Sequence, residues 1–462
     1  FQLKLDIGTY FLNNDTHMKI GFYPQYHNKN LFLDINIESY VNLGGDNLDV
    51  WDDIFDFLEK VSINYSHNNM TNNFSIKYGQ LTNISFGTGY LVKNLSNSLD
   101  YPRKMNAGFM IDYTFDIDFM DLKVFVPNIR DFDNSGGVIG ARTSLFISHN
   151  TPLTVGIGLV TDLNQFSLIS NDLNKSTKKR KVIGAEIDFT YKYLSNLDLD
   201  IDFFGEISTL WYPEDTYYVL FDGNDVSNDL RWRKGSWGIN APGVSLKFDN
   251  RYLFKFSLNF NSPTFIPNYF NSTYLYTRAR YYKEQLTIPP LAQKQIDFLN
   301  QNFLIDCDSL DDDSECEYLI PQDVYPILFL NNGFSEFETY GFTTEFAYNM
   351  QKYINVSMMT SVFVENSNKS DLYCSIETSL NITDGYIRNI SKINFYYSNL
   401  FFEKISDAYR TTLGFEADIK LPSRLSLIIN LGQVYYDSKN NILNDNNIDK
   451  MINSSINLKY NF

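Results

Sequence analysis

Along residues 452–462, Ile452, Ser454, Ile456, Leu458, Tyr460 and Phe462 alternate with Asn453, Ser455, Asn457, Lys459 and Asn461. A β-strand sends successive side chains to opposite faces, so one row belongs in an apolar medium and the other in a wet one. The same period recurs through the chain. Leu197, Leu199, Ile201 and Phe203 interleave with Asp198, Asp200 and Asp202, and Ile183, Ala185, Ile187, Phe189 and Tyr191 with Glu186, Asp188, Thr190 and Lys192. Leu413, Phe415, Ala417 and Ile419 oppose Gly414, Glu416, Asp418 and Lys420, and Leu33, Ile35 and Ile37 oppose Asp34, Asn36 and Glu38. Read this way, the chain carries about twenty strands, within a range of about 16 to 22, and the pattern predicts an all-β fold.

Half-buried sheets of water-soluble sandwiches share this period, so alternation alone leaves sandwich and membrane barrel open. Aromatic residues make up 16% of the chain, with 38 Phe and 33 Tyr, yet its mean hydropathy is slightly polar. No stretch approaches the ~20 uninterrupted apolar residues that a spanning helix needs. Only helices and closed sheets satisfy every backbone polar group inside lipid, so a membrane crossing by this chain requires strands. The chain begins at Phe1 inside an alternating segment without a charged and apolar leader, so any signal peptide is expected to have been removed. The C-terminal row Ile456, Leu458, Tyr460 and Phe462 resembles the terminal strand signal that outer-membrane β-barrel proteins present to their assembly machinery. This resemblance implies a single transmembrane antiparallel up-and-down barrel over 1–462, in the outer membrane of a Gram-negative-type envelope. Its C-terminus is then periplasmic, and outer-membrane lipid and the barrel-assembly machinery are partners. No specific porin family is identified.

Such barrels have short periplasmic turns and long external loops. With the C-terminus inside, the predicted short turns all fall on one side. The predicted long connections, about 43–59, 81–103, 167–179, 212–234, 262–333 and 438–450, all fall on the other. If the apolar rows face lipid, the opposite rows line the lumen, and these are rich in acids. The up-and-down order gathers Asp34, Asp116, Asp118, Asp198, Asp200 and Asp418 near the periplasmic end as an expected acidic belt, with Lys4, Lys192, Lys255, Lys392 and Lys420 on the same rows. Carboxylate rings enrich cations in a pore, whereas acids paired with lysines merely hydrate the wall. A porin-like passage for small hydrophilic solutes or ions, without chemistry of its own, is the expectation; a surface-exposed adhesin or structural barrel with a loop-plugged lumen, meeting a host or surface ligand, is the alternative.

The longest loop holds Tyr274, Tyr276, Arg278 and Arg280, together with Tyr282, on one face of an extended piece. Folded inward it is a candidate constriction; folded outward it is an external cap. Farther along, Cys307 and Cys316 bracket Asp311, Asp312, Asp313 and Glu315, a spacing that suits a small disulfide in an oxidising envelope. These acids lack the central glycine of a calcium loop, so no metal or other cofactor is expected. Cys374 lies on an apolar row between Leu372 and Ile376. Residues 49–60 read as a short amphipathic helix. Phe86, Gly87, Thr88, Gly89 and Tyr90 are too little for phosphate binding and suit a bulge or a loop turned into the lumen, and Lys178, Lys179, Arg180 and Lys181 form a basic run at an external loop. His17 is expected in an external turn, and His27, His67 and His149 near periplasmic turns, as solvent residues without a serine or carboxylate constellation; no enzyme is expected. The net charge of −17 argues against nucleic acid as a partner.

Overall fold

The computed structural model describes residues 2–12, 15–42, 58–69, 72–98, 106–115, 119–133, 135–147, 152–167, 179–196, 198–222, 225–263, 265–272, 274–285, 304–307, 315–321, 338–350, 353–366, 372–383, 386–402, 411–422, 424–436 and 449–461. The first run of barrel strands is β1 (Gln2–Leu12), β2 (Asp15–His27), β3 (Leu31–Ile35), β4 (Ile37–Asn42), β5 (Val61–Asn68), β6 (Asn73–Gly79) and β7 (Gly108–Phe115). It continues with β8 (Met120–Val126), β9 (Val138–Phe146), β10 (Leu153–Asp162), β11 (Val182–Ser195), β12 (Leu199–Asp222), β13 (Asp225–Phe248) and β14 (Tyr252–Asn261). An insertion then contains the single-turn helix α1 (Tyr274–Thr277) and a separate antiparallel sheet of β15 (Ala279–Gln285), β16 (Leu304–Cys307) and β17 (Glu315–Pro321). The barrel resumes with β18 (Thr339–Met350), β19 (Ile354–Glu365), β20 (Leu372–Thr383), β21 (Ile390–Phe402), β22 (Thr411–Lys420), β23 (Leu425–Tyr436) and β24 (Asp449–Asn461).

Each barrel strand pairs antiparallel with its neighbours in sequence, and β14 pairs with β18 across the insertion. β1 closes the ring by pairing with β2 on one edge and with β24 on the other, from Lys4 opposite Asn461 to Leu12 opposite Asn453. β3 and β4 both pair with β2 and are one strand interrupted at Asn36, so the 21 segments of the sheet make twenty staves. At the interruption the Asn36 N–H donates to the Lys60 carbonyl at 2.7 Å, one step on in the β3–β5 register. The twenty staves close into a ring in which each pairs on both sides along part of its length, with the β4 segment bonded, among the described residues, to β2 alone; closure is what a sheet in lipid requires.

The register confirms which row faces out. Ile7, Phe11, Ile20, Phe22, Ile187, Ile207, Ile456 and Leu458 are each at least a third exposed. A water-soluble protein does not carry so wide an apolar exterior. Trp211 and Trp237 lie on this surface toward the loop end, whereas Tyr26, Tyr191 and Tyr252 lie toward the opposite end, the placement of interfacial aromatic girdles. Connections at the end where β24 finishes span no more than six residues, and the long ones all lie at the other end. The predicted loop over 212–234 is instead a ribbon. β12 and β13 run on past their outer neighbours, whose pairing stops at Trp211 and Gly238, and pair only with each other beyond. The ribbon's register sets Tyr217 opposite Trp232 and Val219 opposite Leu230, and Tyr, Trp and Val are residue types with a high preference for strands. Of the predicted 49–60 helix, only its last turn at Leu58 and Glu59 is among the described residues.

Candidate functional site

The lumen wall is built from the polar rows, and in most sectors acid meets base. Lys19 lies 3.2 Å from Asp6 and 3.0 Å from Glu38, Lys123 3.8 Å from Asp112, Lys255 3.1 Å from Glu345, and Lys392 2.7 Å from Glu416. Arg142 holds Asp188 at 2.8 Å and Glu186 at 3.3 Å, with Gly156 and Gly158 on the adjacent strand leaving the room. Wetness differs around the ring. The Lys392 and Glu416 side chains are 41% and 35% exposed, but those of Lys19, Asp6 and Glu38 only 9%, 7% and 1%.

Of the expected belt, Asp34, Asp198, Asp200 and Asp418 do lie toward the β24-finishing end, while Asp116 and Asp118 fall outside the described residues. Asp34 and Asp418 share an electrostatic neighbourhood with Lys4, Asp200 accepts from the Ser195 hydroxyl at 2.7 Å, and Asp198 is exposed. One histidine departs from expectation. His17 is a strand residue, 1% exposed and without a hydrogen-bond partner on either ring nitrogen, because β2 begins at Asp15 and its odd positions face inward. Its ring packs 6.2 Å from Tyr10. His27 and His67 do lie near the short turns, and His149 is outside the described residues.

Two long connections fold into the barrel. From 80–98, Leu81, Ile84, Phe86, Tyr90, Leu91, Val92 and Leu95 are buried, and from the insertion so are Phe265, Ile266, Tyr269, Phe270, Tyr274 and Leu275. They form one cluster with the inward-facing Met110, Phe125, Val138, Val160, Val182, Leu210 and Tyr212 of the wall. The two loops are stitched together by backbone bonds from Lys93 N to Phe270 O, Asn268 N to Tyr90 O, and Phe270 N to Leu91 O. At the root, Asn97 accepts from Leu81 N at 2.8 Å, and its amide nitrogen lies within 3.1 Å of the Gly79, Asn106 and Pro127 carbonyls.

The tip of the first loop grips the wall through one carboxylate. Glu206 of β12, 1% exposed, accepts from Thr88 N at 2.8 Å, Thr88 Oγ1 at 2.6 Å, Tyr90 N at 3.3 Å and Leu91 N at 3.2 Å. Gly87 makes this approach feasible. Its φ is +47°, and a Cβ there would meet Asp188 and Glu206 oxygens at 2.9 Å. Tyr90 donates to Asn261, and burial together with the Glu206 charge pushes its phenol well above the usual range, so it stays protonated. On the far side Lys93 reaches β20, 3.3 Å from Glu377, and touches the Met359 sulfur on β19. A small cleft of about 30 Å³ remains between this tip and the wall, lined by Thr88, Lys93, Asn240, Asn268 and Ser361 among others.

Arg278 is the tie between the insertion and the mouth. Fully enclosed, it sets Nη2 2.6 Å from Asp131 and 2.9 Å from Ser167, and Nη1 3.0 Å from Asp162, which also accepts from Tyr274 at 3.0 Å. Burial alone would weaken its charge, but Asp162 and Asp131 more than offset this and raise its pKa. Burial raises the Tyr274 phenol too, with the Asp162 charge adding to it. Tyr276 lies in α1 and Arg280 in β15 opposite Ile320, and only their backbone is described. Cys307 and Cys316 sit directly opposite each other in the β16–β17 register.

No family model matches this sequence, and no curated protein matches it. Among solved structures, the chain is similar to outer membrane protein OprD of Pseudomonas aeruginosa, at 9% identity and a TM-score of 0.34, over 100% of this chain and 93% of that one. It is similar also to OccAB2 of Acinetobacter baumannii, at 10% identity and a TM-score of 0.37, over 100% and 97%. A third likeness is to the siderophore receptor PirA of Acinetobacter baumannii, at 9% identity and a TM-score of 0.37, over 100% and 80%. The architecture stands on the strand pairing itself.

Glu206 and the inward apolar residues that seat the loops are the site residues that alternation missed. Their signal is present in the sequence as places where the alternation fails: Val124, Phe125 and Val126, or Leu210, Trp211 and Tyr212, are apolar on both faces.

Proposed function

We propose that this barrel spans a bacterial outer membrane with its C-terminal end in the periplasm. Small hydrophilic solutes diffuse through the part of the lumen that the infolded loops leave free. The observation that carries this reading is the asymmetry of the lumen. The loops pack on the wall from β7 to β12, bond to β13 and β14, and touch β19 and β20 through Lys93, whereas on β21 and β22 inward side chains such as Lys392 and Glu416 stay exposed. A cation preference, kept modest because the clusters around Lys19 and Arg142 where acids outnumber bases are largely enclosed, belongs to the same reading. Outward-facing Ile456 and Leu458 on the last strand suit recognition by an assembly machinery. The alternative is a surface-interaction barrel with a closed lumen, favoured by the size of the apolar cluster inside. Single-channel recording of the purified, folded protein in a lipid bilayer separates the two. Discrete conductance steps are expected; a silent bilayer from verifiably folded protein overturns the diffusion reading in favour of the alternative.

A further inference from the structure

Tyr396 lies midway along β21, opposite Ser379 on one side and Gly414 on the other. The register places it on the luminal row with Asn394 and Glu416, whereas Phe395 and Phe415 form the outward pair. Tyr396 is 37% exposed. Its ring lies directly over Gly414, where a Cβ would stand 1.8 Å from Cε1 and 2.3 Å from Cζ. The next residue across the sheet is Gly432, so no side chain rises beyond the ring on that side. The two glycines let the ring lie against the wall and offer its surface to the passage.

The surroundings are hydrogen-bonding groups without net charge. Glu416 accepts from Lys392 at 2.7 Å and from Asn394 Nδ2 at 3.1 Å. One register step toward the loop end, Glu377 opposite Ser398 is clasped by Lys93 from the infolded loop. A solute that passes this clasp therefore meets the ring next.

An aromatic face in water, bordered by a partly exposed carboxylate that Lys392 and Asn394 neutralise and hold, suits one ligand chemistry. A pyranose ring presents an apolar C–H face for stacking and equatorial hydroxyls for the acceptors at the rim. Charged solutes gain nothing from a neutral rim, and purely apolar ones leave the acceptors unpaired. We propose that Tyr396, on its Gly414 seat and flanked by Asn394 and Glu416, is a luminal subsite for neutral carbohydrate. The proposal rests on the diffusion reading for its role, but binding itself is separable from conduction.

Cellotriose is a suitable probe, because its all-equatorial glucose units have flat apolar faces. In single-channel recordings it should interrupt the current saturably, while a polyethylene glycol of similar size lowers it only in proportion to concentration. Tyr396→Ala should raise the half-blocking concentration about tenfold with open-channel current retained or increased. Tyr396→Phe should keep most of the block, and Gly414→Leu, which evicts the ring, should lose it. Saturation-transfer NMR of cellotriose on the folded barrel in micelles gives a readout independent of current. Transfer to the sugar C–H protons should appear with the native protein and vanish in Tyr396→Ala. A conducting channel with equal block in native protein and Tyr396→Ala overturns the subsite, as does absence of transfer. Transfer that depends on Tyr396 in a silent barrel upholds the subsite and overturns the diffusion reading alone.

Discussion

At Arg278 charge and burial oppose each other, and geometry decides. A guanidinium withdrawn from water is tolerated only with anions in direct contact, and Asp131 of the β8–β9 connection and Asp162 at the end of β10 supply them. In the sequence the residue reads as one of several aromatic and basic positions of a constriction; in the fold it is enclosed, and it ties the insertion to the barrel mouth. Removing it leaves two buried carboxylates facing each other without a counter-charge. Arg278→Met should therefore cost about 3–5 kcal/mol in urea unfolding from vesicles, because a broken buried pair strands its partner. Adding Asp131→Asn and Asp162→Asn should recover part of that loss. Unchanged stability in the single variant would show that the tie contributes nothing to the fold.

Among the elements, strands were far more legible than loops, and the reason is the contrast between the media on their two sides. Ile456 and Leu458 face outward while Asn457 and Ser455 face the polar interior of the barrel, so each residue reports its side directly. Twenty staves, their order and the sorting of short and long connections follow from that single rule. Loops carry no such report. Phe86, Tyr90, Phe265 and Phe270 look the same in sequence whether they cap the barrel or fill it, and their inward seats are visible only as lapses of alternation on β8 and β12. The ribbon over β12 and β13 does not show in the sequence, because beyond Trp211 and Gly238 the two strands pair only with each other and no contrast of media imposes alternation. Inside the insertion, register supplies what spacing only suggested: Cys307 stands opposite Cys316 on neighbouring strands, a separation a disulfide spans readily. In protein taken from an oxidising envelope, mass spectrometry without reductant should find the two peptides linked, two hydrogens lighter than the dithiol. Alkylation of both thiols in unreduced protein would sink the assignment.

For the whole molecule, a net charge of −17 would suggest a strongly cation-selective passage, but the wall distributes that charge in pairs. What a permeating ion senses is set by how far each pair is wetted and how completely it cancels. Around Lys19 the surplus acid is nearly enclosed, and Tyr23 and Tyr40 hydroxyls donate to Glu38, which spreads its charge into hydrogen bonds. Lys392 and Glu416, by contrast, stand in the exposed sector as a balanced pair. The reversal potential in unequal salt should consequently be of cation sign but small in the native protein. Neutralising Lys392 by Lys392→Gln uncovers a carboxylate in the conducting sector and should shift the potential clearly toward cations. Glu416→Gln should shift it the other way, while Lys19→Gln, whose partners scarcely meet solvent, should move it little. Equal shifts from Lys392→Gln and Lys19→Gln would mean that the enclosed cluster senses the permeating ions as strongly as the wetted wall does, and the conducting path would then have to be drawn along β1 and β2 instead.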